Sequence, residues 1–197
     1  MKNSTIIKSG FLMLIFMLIC VFFVSLAEKT TKAKIEINEQ ELLLKRLNEI
    51  VSNYDNPILD DKFYKTIDLH GIEQTITIFP AKTNNTVFAH LVEHTYPNGY
   101  NGNIRLLTGI NVDGSLLGVR VVNHKETPGL GDKIETRKSN WIKSFTGLSL
   151  KNTERSKWKV KRDGGIFDQF TGATITPRAI VSAAYQILDY FSKNEIK

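Results

Sequence analysis

The spacing of hydrophobic and polar positions changes character several times along the chain. Phe11 to Ala27 is a run of seventeen residues without charge, preceded by Lys2 and Lys8 and followed by Glu28-Lys29. That length lies at the short end of what spans a bilayer, and Ile6 and Ile7 extend it. Ser25-Leu26-Ala27 has the small-x-small form of a cleavage site, so a cleaved signal stays open beside a retained anchor. The run exceeds the usual signal-peptide core of about 7–15 residues, which favours the anchor. Ile37 to Val51 then sets Leu42, Leu43, Leu44, Leu47, Ile50 and Val51 at helical spacing among charges, predicting an amphipathic helix just outside the membrane. Such a helix serves either as a lid on the domain core or as a docking surface for a membrane partner. Tyr54-Asp55-Asn56-Pro57 ends it, because the residue before a proline avoids helical backbone.

Beyond Pro57 the period shortens to two. Gln74 to Phe79 and Thr86 to His94 read as strands joined by a loop over Pro80 to Asn85. Asn98-Gly99-Tyr100-Asn101-Gly102 is a turn cluster. Ile104 to Asn111 and Leu116 to Val122 form a hairpin that turns at Asp113-Gly114. Ser139 to Phe145 reads as a short helix and Trp158 to Lys161 as a further strand. Pro177 to Ser192 is a helix with Ile180, Ala184, Ile187 and Phe191 on its buried face. The expected class is α+β: an N-terminal transmembrane helix and a juxtamembrane helix, then a mostly antiparallel sheet with packed helices.

Composition removes several chemistries. The formal charge of +6 is spread through the chain. Its densest part, Lys157-Trp158-Lys159-Val160-Lys161-Arg162, alternates with apolar residues like a strand with one wet face, which argues against nucleic acid. A lone cysteine, Cys20, allows no disulfide, thiolate zinc site or iron–sulfur cluster within the chain, and Ile19 before it is too bulky for a lipoprotein site. His70, His90, His94 and His124 are scattered. On a strand His90 and His94 would share a face about 13 Å apart, too far to chelate one ion, so no metal site is expected.

Two stretches carry the candidate chemistry. In Asp168-Gln169-Phe170-Thr171-Gly172-Ala173-Thr174-Ile175-Thr176-Pro177, Thr176 suits an N-cap and Pro177 the first helical position. The residues just before that helix lie among free N–H groups at its electropositive end, a seat for a phosphate, with the Thr174 hydroxyl beside it. Either Thr174 carries a phosphate-linked group or the turn is an ordinary capped one. In His124-Lys125-Glu126-Thr127-Pro128-Gly129-Leu130-Gly131-Asp132-Lys133-Ile134-Glu135, two glycines flank Leu130, so the backbone can approach a ligand closely. The glycines are too close together for a P-loop, and Ile134 stands where a dinucleotide fingerprint needs its third glycine. A plain surface loop is the alternative.

Taken together, Glu126 through Glu135 and Asp168 through Thr176 resemble the two signature segments of the FMN-binding domain found in membrane electron-transport complexes. Tyr54-Asp55-Asn56-Pro57, Gly99-Tyr100-Asn101-Gly102 and Lys161-Arg162-Asp163-Gly164-Gly165 extend the resemblance over nearly the whole chain after the anchor. It is closest to the G subunits of Rnf ion-translocating complexes; the C subunits of sodium-translocating NADH:quinone reductase share the threonine motif. The resemblance implies FMN joined through its phosphate to Thr174, by a separate Mg²⁺-dependent flavin transferase that uses FAD. Asp168, Thr171, Gly172 and Ala173 match the motif that this enzyme recognises. Thr176, Glu126, Thr127, Gly129, Leu130, Gly131 and Lys133 are the further expected cofactor contacts.

The implied partners are other membrane subunits of the same complex. The implied organisation is a cytoplasmic tail and anchor over 1–28, a juxtamembrane helix over 29–57 and a periplasmic FMN-binding domain over 58–197. The chain would then cross the bacterial inner membrane once. No nicotinamide motif or acid–base pair is visible, which favours an electron relay within an ion-translocating oxidoreductase over a free-standing catalyst. Ion pumping and reduction of a redox-sensing regulator would use the same relay. A flavin-free, membrane-anchored assembly module is the competing reading.

Overall fold

The computed structural model describes residues 2–69 and 71–194, which leaves out Met1, His70 and residues 195–197. The chain opens with one helix, α1 (Lys2–Ile50). The segments expected as an anchor and a juxtamembrane helix therefore form one continuous helix. No glycine or proline separates Ala27 from Ile37, and the hydroxyls of Thr30 and Thr31 bond back to the Ala27 carbonyl at 3.0 and 2.8 Å, which keeps both threonines inside the helical ladder. Contacts divide the chain into two units after Leu43. In the first, the apolar side chains from Ile6 to Leu26 are exposed, and the helix is long and apolar enough to cross a membrane, with a mean hydropathy of 2.8. Ile37 and Leu42 are exposed as well, so the amphipathic face is buried only further on, at Leu47 and Val51.

The second unit is built on five antiparallel strands in the order β1-β2-β3-β4-β5: β1 (Phe63–Asp68), β2 (Glu73–Thr83), β3 (Thr86–Gly99), β4 (Gly102–Asn111) and β5 (Leu116–Asn123). The expected loop over Pro80 to Asn85 is mostly strand. Only Asn84 and Asn85 turn, both left-handed at φ 50° and 62°, as the tight turn of a two-residue hairpin requires. The Asp113-Gly114 hairpin is present, with the Asp113 carboxylate accepting from the Ser115 N–H at 2.7 Å.

Alternation gives the sheet two apolar faces. On one, Ile76, Ile78, Val92, Ile104, Leu106, Ile110, Val119 and Val121 join a core completed by the C-terminal helix α2 (Ile175–Lys193) through Ile180, Ala184, Ile187 and Leu188. On the other, Phe79, Leu91 and Leu107 are fully buried. There Ile50 lies on the bare backbone of Gly109 and Gly118, and a side chain at Gly109 would collide with it. Arg120 secures this end of α1, donating to the Glu49 carboxylate and to the Glu49 carbonyl, both at 3.0 Å. A cation there also suits the negative end of the helix dipole.

Residues 124–174 link β5 to α2 and contain no extended strand. The helix expected over Ser139 to Phe145 is a 3₁₀ turn, Trp141–Phe145. The strand expected over Trp158 to Lys161 is absent: Val160 makes one isolated bridge to Phe167, between 3₁₀ turns at Arg155–Lys157 and Lys161–Asp163. Trp158 and Val160 are buried while Lys157, Lys159 and Lys161 are exposed. The alternation is real, but it arises from apolar plugs in the core rather than from a ladder.

Candidate functional site

The turn before α2 is pinned by aromatic side chains. Phe170 is buried against Trp141, ring centroids 5.0 Å apart, and the Trp141 indole N–H donates to the Asp168 carbonyl at 2.8 Å. Gly172 takes φ +81°, and the Ala173 N–H closes the turn on the Phe170 carbonyl at 3.3 Å. The helix then starts earlier than the sequence suggests. Ile175 is its first residue, Thr174 the N-cap and Pro177 the third helical position. Thr176 is not the cap. It is buried inside the first turn, and its hydroxyl donates to the Glu126 carboxylate. A local cap is worth about 1 kcal/mol; satisfying a buried carboxylate competes successfully with it.

Glu126 connects three segments. Its Oε1 accepts from the Asn101 N–H at 3.3 Å, and its Oε2 from Thr176. A Cβ at Gly99 would fall 2.8 Å from one carboxylate oxygen, and a Cβ at Gly131 would fall 2.9 Å from the other and 2.9 Å from the Thr176 hydroxyl. Both glycines are therefore needed to admit the carboxylate. Behind it, the Glu126 N–H donates to His124 Nδ1 at 3.0 Å, which puts the proton of a neutral ring on Nε2, facing the Glu135 carboxylate at 3.0 Å. Arg137 foremost, with His124, holds Glu135 below the usual carboxylate range. In the glycine loop, the N–H groups of Leu130 and Gly131 donate to the Thr127 carbonyl at 3.2 and 3.1 Å. Gly129 is left-handed at φ +78°, and its N–H donates to the buried Asp132 carboxylate and lowers its pKa.

The two segments meet around one pocket of about 300 Å³. Glu126, Thr127, Leu130 and Gly131 line one side, and Gly172, Ala173, Thr174 and Thr176 the other, with Ile175 and Tyr100. The remaining expected contacts lie off it. Gly129 serves Asp132, the Lys133 carbonyl accepts from the Ser139 hydroxyl at 2.7 Å, Thr171 is exposed, and exposed Asp168 pairs with Lys161 at 2.6 Å. Sequence reasoning missed Tyr100 as a wall of the site; the signal was an exposed aromatic between two glycines. Tyr100 is 64% exposed, Ile175 44% and Leu130 41%, so an apolar rim surrounds the Thr174 hydroxyl. That hydroxyl has no hydrogen-bond partner among the described residues. A larger cavity, about 440 Å³, lies at the other end of α2 between His90 and Phe191, but it holds none of these residues. Among the described residues no cluster of metal-ligating side chains occurs.

The class is given by the family that matches here: the FMN-binding domain family matches residues 99–189, which include both segments of the pocket. The RnfG N-terminal region family matches residues 1–50. The chain is 43% identical over 203 residues to the G subunit of the ion-translocating oxidoreductase complex of Shewanella baltica, covering 99% of this chain and 93% of that one. It is 40% identical over 193 residues to the G subunit of the same complex in Vibrio atlanticus, covering 97% and 92%. The chain belongs to the family of ion-translocating oxidoreductase complex G subunits.

Proposed function

We propose that the protein relays electrons through an FMN held by Thr174 in a phosphoester, as one subunit of a membrane-bound complex that couples redox chemistry to ion translocation. The Thr174 hydroxyl carries this reading. An N-cap threonine normally spends its hydroxyl on the first-turn N–H groups. Thr174 is half-buried at the N-cap of α2 and its hydroxyl has no such partner among the described residues, which leaves its oxygen available for a bond to phosphorus. The pocket suits a flavin: Tyr100, Leu130 and Ile175 offer exposed apolar surface for a flat ring.

In maturation, the Thr174 oxygen bonds to the riboflavin-side phosphorus of FAD, the pyrophosphate P–O bond breaks, AMP leaves and the hydroxyl proton passes to a base. A threonine hydroxyl is a weak nucleophile, so the activation comes from a separate Mg²⁺-dependent flavin transferase. The resulting diester carries one negative charge, which suits the N-terminal end of α2. Exposed Asp168 and Thr171 remain accessible to the transferase. When bound, FMN supplies one- and two-electron transfer; the protein holds its phosphate and shapes the surface under its ring. The apolar segment of α1 anchors the chain once in the bacterial inner membrane, with the domain on the periplasmic side, where a covalent bond prevents loss of the flavin.

The test is direct. Protein made together with the transferase is denatured and digested. An FMN-sized mass on the Thr174 peptide, absent in Thr174→Val, supports the relay, and its absence from the wild type overturns it.

A further inference from the structure

The Lys161-Arg162-Asp163-Gly164-Gly165 segment lies off the pocket, and none of its residues touches the Thr174 hydroxyl. It is a 3₁₀ turn, Lys161–Asp163, ended by Gly164 at φ +88°. A side chain on Gly165 would collide with the Lys159 carbonyl, so the turn closes only with glycine there.

Its first three residues each hold part of the neighbouring Thr174 turn. Lys161 Nζ lies 2.6 Å from the Asp168 carboxylate. The Arg162 N–H donates to the Gln169 side-chain oxygen at 3.1 Å. Asp163 accepts two hydrogen bonds from Arg178, from Nε at 2.6 Å and Nη2 at 2.9 Å. Arg178 then reaches back through Nη1 to the Thr174 carbonyl at 3.3 Å. Both ends of the 168–174 turn are thus tied to one short element.

Stability alone accounts poorly for these residues. Ion pairs as exposed as these contribute little. Arg178 also stands in the first turn of α2, where the helix dipole disfavours a cation. Geometry accounts for it better: a planar guanidinium makes two parallel bonds to Asp163 and keeps a third donor for the carbonyl, which a lysine cannot match.

We propose that the Lys161–Gly165 turn is a brace that sets Thr174 for flavin transfer, with Arg178 and Asp163 as positioning residues acting through the Thr174 backbone. The brace rests on the covalent reading of Thr174. Its expected effect is on the chemical step, because misplacement of a nucleophile by about 1 Å lowers rates on the order of 100-fold.

Full-length protein made without the transferase is incubated with purified transferase, FAD and Mg²⁺, and the mass of the Thr174 peptide is followed in time. Arg178→Met and Asp163→Asn lower kcat at least about tenfold, while KM for the protein acceptor changes less than about twofold. Arg178→Lys, which keeps the charge but loses the fork, is as slow as Arg178→Met. Asp163→Asn preserves side-chain size and carries the test should Arg178→Met fail to fold. Wild-type kcat in a folded Asp163→Asn or Arg178→Met variant, or full rescue by Arg178→Lys, overturns the brace. Failure of the wild-type peptide to gain flavin overturns the covalent reading instead, and the brace with it.

Discussion

The middle and the first turn of α2 meet the protein through different physics. Its middle turns bury Ile180, Ala184, Ile187 and Leu188 against the sheet. Its first turn is held by a buried hydroxyl–carboxylate bond at Thr176 and a guanidinium fork at Arg178. Apolar burial is strong and non-directional: it fixes that the helix lies on the sheet, but tolerates small shifts along it. The polar contacts add less stability, yet they orient what they touch. Thr174 sits beside them, its hydroxyl without a partner among the described residues. On the covalent reading of Thr174, stability and chemistry are separated along one helix.

The largest effect that tests this separation is qualitative. Thr174→Val abolishes covalent flavin, while urea unfolding of the flavin-free protein shifts by no more than about 0.5 kcal/mol, as for a surface residue. A loss of about 2 kcal/mol or more would make Thr174 part of the structure and break the comparison. The reverse is expected at the middle of the helix. Ile187 is fully buried, and Ile187→Ala should cost about 2–5 kcal/mol in the same unfolding experiment, with flavin transfer per folded molecule unchanged.

His94 sharpens the contrast through pH. It lies on the sheet face that α2 covers, buried beside the Thr108 hydroxyl at 3.0 Å, and burial lowers its pKa to about 4. As pH falls from 6.5 toward 4, the unfolded chain takes up a proton that the folded one refuses, so this stability is present above pH 6.5 and is lost on acidification. The loss approaches about 3 kcal/mol and should flatten in His94→Gln when urea midpoints are compared across that window. The smallest effect is expected where the two regimes meet. Thr176→Val keeps the shape but leaves Glu126 without its hydroxyl donor, for about 1–3 kcal/mol. It should also slow flavin transfer. Loss of stability with transfer at the wild-type rate would assign Thr176 to the structural end alone.

Much of this was legible in local pattern. The 3.6-residue period of α2 and the Asp113-Gly114 hairpin are short-range signals, and both elements are present. β1 was not legible, because Phe63 to Asp68 is a short edge strand with charges among its side chains. Trp158 to Lys161 misled for the opposite reason: two plugs into a core produce the same alternation as a strand, and only a pairing partner separates the two cases.

By itself, the sequence determined the long apolar N-terminal helix, the antiparallel class and the two glycine- and threonine-bearing segments, since each is written in neighbouring residues. Only the tertiary structure decided that Thr174 rather than Thr176 stands at the N-cap. It also showed that Gly99 and Gly131 make room for one carboxylate, and that Asp163 reaches Thr174 through Arg178. Each of these depends on groups brought together from distant parts of the chain. Glu126 and Thr176 are 50 residues apart, and no local preference records that the hydroxyl of one will donate to the carboxylate of the other in the core.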